Sequence, residues 1–355
     1  MSNDDQARYI NYFRDALMRD GAQQFWDGHA AWFDRNRSRI AQEAEALKIE
    51  KKGSTDAFAD AIMLQPNEQI EKNVFSESIF QPLLAEALAI CHDAKTKPLL
   101  PVRLENSPAI EISPAALPSS AEHVIFIGLS TSSFCNYWSK IFSTAIANTV
   151  DLNERSPEAI LKKLKEGSTL TDAIRLAVRH AITDSLLGFG KIEQAPELLG
   201  LRVSMLNAME IFILAHEIGH LVNHEAHPAT GGIPPGGTSM DLELSCDVFG
   251  LSICSSYGFK HQNPLAMNLS GALLFLYALH ICECAKQTLT KTPTPPSQTH
   301  PSTEDRFAFA LQYLREVSGD GPAVSEALSM MDIALAIGAF VQIATIEIAE
   351  QLPDG

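Results

Sequence analysis

Along the chain, the spacing of apolar positions changes twice. Residues 5–50 carry apolar and aromatic side chains at helical spacing, with Tyr9, Tyr12, Phe13, Phe25, Trp26, Trp32 and Phe33 as anchors of a core stripe. Lys51-Lys52-Gly53-Ser54 breaks that run, and one or two further helices follow over 55–96, Pro82 standing where one begins. Over 97–130 the pattern becomes short apolar runs between prolines, and residues 101–104, 109–112 and 123–128 read as strands. Helical spacing then returns over 132–149, 156–187, 203–223, 241–256, 264–289, from Ser302/Thr303 to about 317, and 323–350. Gly188-Phe-Gly190 marks a turn, and Lys291-Thr-Pro-Thr-Pro-Pro-Ser a stiff connector. This order predicts an α+β protein, predominantly helical, with a helical region at 1–96 and a second region at 97–355. The second region places a small sheet just upstream of the 203–223 helix and ends in helices.

Composition narrows the partners. The chain has 355 residues, enough for a full core, and a formal net charge of −16, which disfavours binding to nucleic-acid phosphates. Its first residues, Met1-Ser-Asn-Asp-Asp, lack the apolar stretch of a secretion leader, so a cytoplasmic setting is expected. There the six cysteines, Cys91, Cys135, Cys246, Cys254, Cys282 and Cys284, read as reduced and buried, with Cys282-x-Cys284 part of the core. The most apolar stretches, near 271–284 and 330–349, are interrupted by His280, Asp332, Gln342 and Glu347 in or beside them. They read as core helices, with no membrane insertion expected.

The chemistry concentrates at His216-Glu217-Ile218-Gly219-His220. Histidines four apart on a helix share one face, so both imidazoles can hold one metal ion. A glutamate beside the first can take a proton from a water at that metal. A catalytic zinc takes a third protein ligand and leaves a fourth position open. The HExxHxxGxxH arrangement fails here, because Asn223 and Ala226 occupy its glycine and histidine positions. Glu243-x-x-x-Asp247 offers a better source, since both carboxylates fall on one helix face. Glu243 would bind zinc and Asp247 would orient a ligand histidine through its far nitrogen. Asp241, after Gly237-Thr238, is the weaker alternative. The Gly/Pro-rich segment 225–238 between the two ligand helices would border the cleft, as a lid or as a plain surface loop. The 123–128 run is expected to offer an edge that pairs with an extended substrate.

These residues resemble the gluzincin-type zinc metallopeptidases, which carry HExxH followed by a glutamate ligand. A His-Pro-x-x-x-x-Arg segment, His300 to Arg306, is similar to one in HtpX-type peptidases and in the soluble Lit-type phage-exclusion peptidases. The resemblance covers about residues 203–310. It implies a zincin-like core, a Zn2+ cofactor, and hydrolysis of a protein or peptide substrate with Glu217 as base. It also implies that His300 and Arg306 help to stabilise the oxyanion. The Lit-type likeness implies a conditional effector, as in phage defence. The competing expectation is a non-proteolytic regulatory or binding protein built on the same zinc domain.

Overall fold

The computed structural model describes residues 7–12 and 79–351, apart from 110–111, 113, 153–155, 187–188, 190–191, 292–299 and 320. The expected aromatic stripe from Phe13 to Phe33, the break at residue 51 and the proline connector after Lys291 lie outside the described residues. What is described is predominantly helical with one small sheet. The helices are α1 (Gln81–Asp93), α2 (Leu129–Thr149), α3 (Pro157–Leu164), α4 (Thr169–Thr183), α5 (Leu199–Ala226), α6 (Ser239–His261), α7 (Pro264–Met267), α8 (Ser270–Thr290), α9 (Thr303–Ser318) and α10 (Pro322–Gln351). The strands β1 (Val102–Asn106), β2 (Ala115–Leu117) and β3 (His123–Ile127) lie in the order β1-β3-β2.

Two of these elements differ from expectation in ways that matter for the site. Of the strand expected at 109–112, residues 110–111 lie outside the described residues and Ala109 and Ile112 are not in a strand; the strand that pairs here is 115–117, beyond Pro114. The 123–127 strand is central, parallel to β1 and antiparallel to β2, so it offers no free edge. Its unbroken apolar run is explained by that place, because both faces are covered. Val124 and Phe126 pack with Ile10 and Leu117 on one side, while Ile125 and Ile127 join the main helical core on the other. β2, paired only with β3, is the edge strand beside α5.

Helix breaks follow local chemistry. The expected 156–187 helix is two, interrupted around Gly167-Ser168. The expected 264–289 helix is also two, because Asn263 caps the short α7 and Leu269 takes a left-handed backbone, φ 63°. That turn lets α7 close onto α6, where a Cβ at Gly258 would lie 2.1 Å from the Met267 nitrogen.

The core is a helical assembly around α5, α6 and α8. α5 and α6 share the most extensive packing, allowed by small residues at the crossing. A Cβ on Gly219 would meet the Cys246 backbone at 3.1 Å, and one on Gly250 would meet the Phe212 ring at 3.1 Å. Among the described residues, two segments, Pro196–Ala226 and Pro322–Gln351, are long and apolar enough to cross a membrane by length and composition, with mean hydropathies of 1.6 and 1.8. The first is the core helix α5. The cysteines are free, and all but Cys284 are buried.

Candidate metal centre and cleft

α5 and α6 run side by side, and each brings polar groups to one point on their shared face. His216 and His220 come from consecutive turns of α5, Glu243 from the first turns of α6. The His216 and His220 Nε2 atoms lie 3.2 Å apart. Each is 3.5 Å from a Glu243 carboxylate oxygen. Ligands at zinc–nitrogen and zinc–oxygen distances around a tetrahedral ion stand about 3.3 Å from one another. The three side chains therefore fit one ion: this buried group could hold a metal.

His216 is oriented from behind. Its Nδ1 donates to Asp247 Oδ1 at 2.9 Å, which leaves the Nε2 lone pair for the centre. Asp247 is fully buried and is held in turn by Arg306 of α9, whose Nε and Nη2 donate to its two oxygens at 2.8 and 2.5 Å. Burial opposes the charge on Asp247, yet the Arg306 guanidinium holds its carboxyl below the usual range. Arg306, expected as a donor to the oxyanion, is thus committed to Asp247. His300 stands on the exposed side, its Nδ1 3.0 Å from Glu243 Oε1. Asp241, the alternative ligand, is exposed and closes a capping box with Thr238 at the start of α6. It takes no part in the centre.

The electrostatics follow from burial and from the facing charges. Burial, then the charge of His216, pushes His220 down to about 4, so it is a neutral donor. Burial opposes a charge on His216, but Asp247 and Glu243 outweigh it and hold its pKa at about 9. Burial also opposes a charge on Glu243, but hydrogen bonds to His216 and His300 keep it ionised well below the ordinary carboxylate range. Glu217 is raised to about 6 by burial, and the backbone of Ala116 in β2 hydrogen-bonds its carboxylate.

These groups open into a cleft of about 510 Å³. His216, Glu217, His220, Glu243, His300 and Arg306 all line it, as do Ala115 and Ala116 of β2. Gly231, from the loop between α5 and α6, reaches its rim. So the edge that faces the cleft belongs to β2, and the expectation placed on 123–128 is corrected.

Sequence reading missed a clamp that fixes this edge. Glu225, in the last turn of α5, accepts the backbone N–H groups of Leu99 and Leu100 at 2.7 and 3.0 Å. It also accepts from His123 Nε2 at 2.8 Å, while His123 Nδ1 accepts the Ser119 N–H at 3.2 Å. The start of the sheet is tied to the ligand helix by partners about a hundred residues apart. No local pattern marks the pair, because Glu225 sits in the polar run Asn223-His224-Glu225 and His123 follows Ser119-Ser120-Ala121-Glu122. No family model, curated protein or solved structure matches the chain.

Proposed function

We propose that the chain is a zinc-dependent endopeptidase of the gluzincin-like kind, acting on a protein or peptide substrate. The observation that carries this reading is the spacing of the donor groups, 3.2 Å between the two Nε2 atoms and 3.5 Å from each to a different oxygen of Glu243, with an ionisable glutamate beside them. Two imidazoles and one carboxylate form a donor set suited to zinc with a position left open. Held by His216, His220 and Glu243, zinc would supply Lewis-acid chemistry that polarises a carbonyl and makes water nucleophilic near neutral pH.

The chain's own residues do the rest. Glu217 lines the cleft with its carboxyl near pH 6, where it can take a proton from the attacking water and return it to the departing amine. Asp247 holds the His216 ring through Nδ1, and Arg306 holds Asp247. His300, whose Nδ1 meets Glu243 on the open wall, is the side chain proposed to donate to the developing oxyanion. β2, paired with β3 on one side and lining the cleft through Ala115 and Ala116, is the strand along which an extended peptide would be laid, competing with Glu217 for the Ala116 backbone.

The test is to express wild type and Glu217→Gln in a host cell and map new protein N-termini. Sites that need Glu217, from a protein that carries one zinc by elemental analysis, support the reading. One bound zinc with no Glu217-dependent site would favour a zinc-bearing binding protein, and no zinc would sink both.

A further inference from the structure

The cleft is not uniform along α5. Toward the helix C-terminus its wall is polar, with His220 and His224 on successive turns and Gly231 at the rim. Toward the N-terminus it is apolar, with Phe212 and Ile213 one turn before His216, joined by Phe275 and Leu279 of α8 and Ile112 from the segment before β2. This apolar wall is continuous with the metal centre. The Phe212 ring centroid lies 6.4 Å from that of His216 and 6.1 Å from that of Phe275. It is also closely packed: Gly250 of α6 lies directly against the Phe212 ring, and Phe275 meets Phe134 edge-on at 5.7 Å. Phe212 and Phe275 are almost entirely buried, while Leu279, one turn beyond Phe275, is partly exposed.

From this we infer that the cleft selects a substrate with a large apolar side chain, aromatic or long aliphatic, next to the scissile bond. The proposal rests on the peptidase reading of the same site and names its substrate class. An extended peptide paired to β2 offers side chains on alternate faces, so the residue beside the reacting carbonyl can turn toward the Phe212–Phe275–Leu279 recess. An apolar wall desolvates such a side chain at little cost, whereas a charged one would lose its water with no partner among Phe212, Ile213, Phe275 and Leu279.

The test uses binding, so that it does not depend on turnover. Zinc-loaded Glu217→Gln protein is titrated by calorimetry with two hydroxamates that differ in one side chain, benzyl against hydroxymethyl. The benzyl compound should bind about 30-fold tighter, as burial of one aromatic side chain predicts. Leu279→Asp should cut that advantage at least about threefold with zinc content unchanged, and Leu279→Ala serves if the charged variant folds poorly. Equal affinities, or an advantage that both variants leave intact, overturn the inference even where Glu217-dependent cleavage is found. Should the protein take up no zinc, the peptidase reading falls by itself. Benzyl alcohol titrated against the metal-free protein then decides the recess: shifts of the Phe212 and Phe275 ring resonances support it, and their absence overturns it.

Discussion

At the scale of single residues, burial separates groups that look alike in the sequence. Asp241 and Glu243 are two residues apart at the start of α6, yet one is an exposed cap and the other lies at the centre. Glu243→Ala is therefore expected to lose bound zinc on dialysis, while Asp241→Ala keeps it and shows only a small drop in Tm. Zinc loss in the Asp241 variant would mean that the wrong carboxylate has been assigned. Glu210 makes a sharper case. It sits on α5 with no exposure and with neither oxygen hydrogen-bonded, and burial raises its carboxyl to about 8. Unfolded, the group titrates near 4.5. The native state therefore binds more protons than the unfolded chain between these values, and stability falls as pH rises from about 4.5 through about 8. The full effect is on the order of 5 kcal/mol. Glu210→Met should raise Tm more at pH 8 than at pH 5, and an equal gain at both would show that the folded protein does not hold this carboxyl above its unfolded value.

At the scale of elements, α9 acts on the centre chiefly through Asp247, which Arg306 holds by both carboxylate oxygens while also lining the cleft. Arg306→Met would strand a fully buried carboxylate beside His216. Breaking such a pair from one side costs about 3–5 kcal/mol. Releasing Asp247, the orienting partner of His216, from its own anchor also weakens metal affinity, by up to the roughly 10–100-fold that loss of such a partner costs. Both a large fall in Tm and weaker zinc retention are expected; a variant with normal zinc affinity would show that Asp247 orients His216 unaided. The pairs His216/His220 and Glu243/Asp247 were legible in the sequence because they are separated by one helical turn, and that spacing fixes a shared face whatever the rest of the fold does. Glu225 with His123, and Phe275 with Leu279, were not, because their meaning comes from partners on distant elements. The strand error has the same origin. Apolar runs at 109–112 and 123–128 have equal local claim to be strands, and only pairing on both sides makes β3 central and leaves the edge to β2.

For the whole molecule, the question is whether the long apolar helices belong to a core or to a membrane. α5 carries buried Glu210, His216 and Glu217 and is wrapped by α1, α2, α6 and α8, which favours a core helix. α10 is more evenly balanced. Ala334, Ile337, Val341 and Thr345 face inward, and α10 packs on α4 and α8, whereas Leu335, Ile343 and Ile346 are exposed. Insertion would need the inner face to leave that packing and the core it covers on α4 and α8 to meet water. It would also carry Asp332 and Glu347 toward lipid, at about 2.5–3.5 kcal/mol for an acidic side chain near mid-bilayer. Lipid would return no net gain for apolar side chains already buried in protein, so only the exposed stripe favours insertion. Those terms favour the packed state, and the chain expressed in a host cell is expected in the supernatant after alkaline extraction of membranes. Retention in the pellet that Ile343→Lys abolishes would place the outer face of α10 against lipid. The same extraction applied to Leu335→Lys then tells surface attachment along the whole helix from contact at its C-terminal half alone.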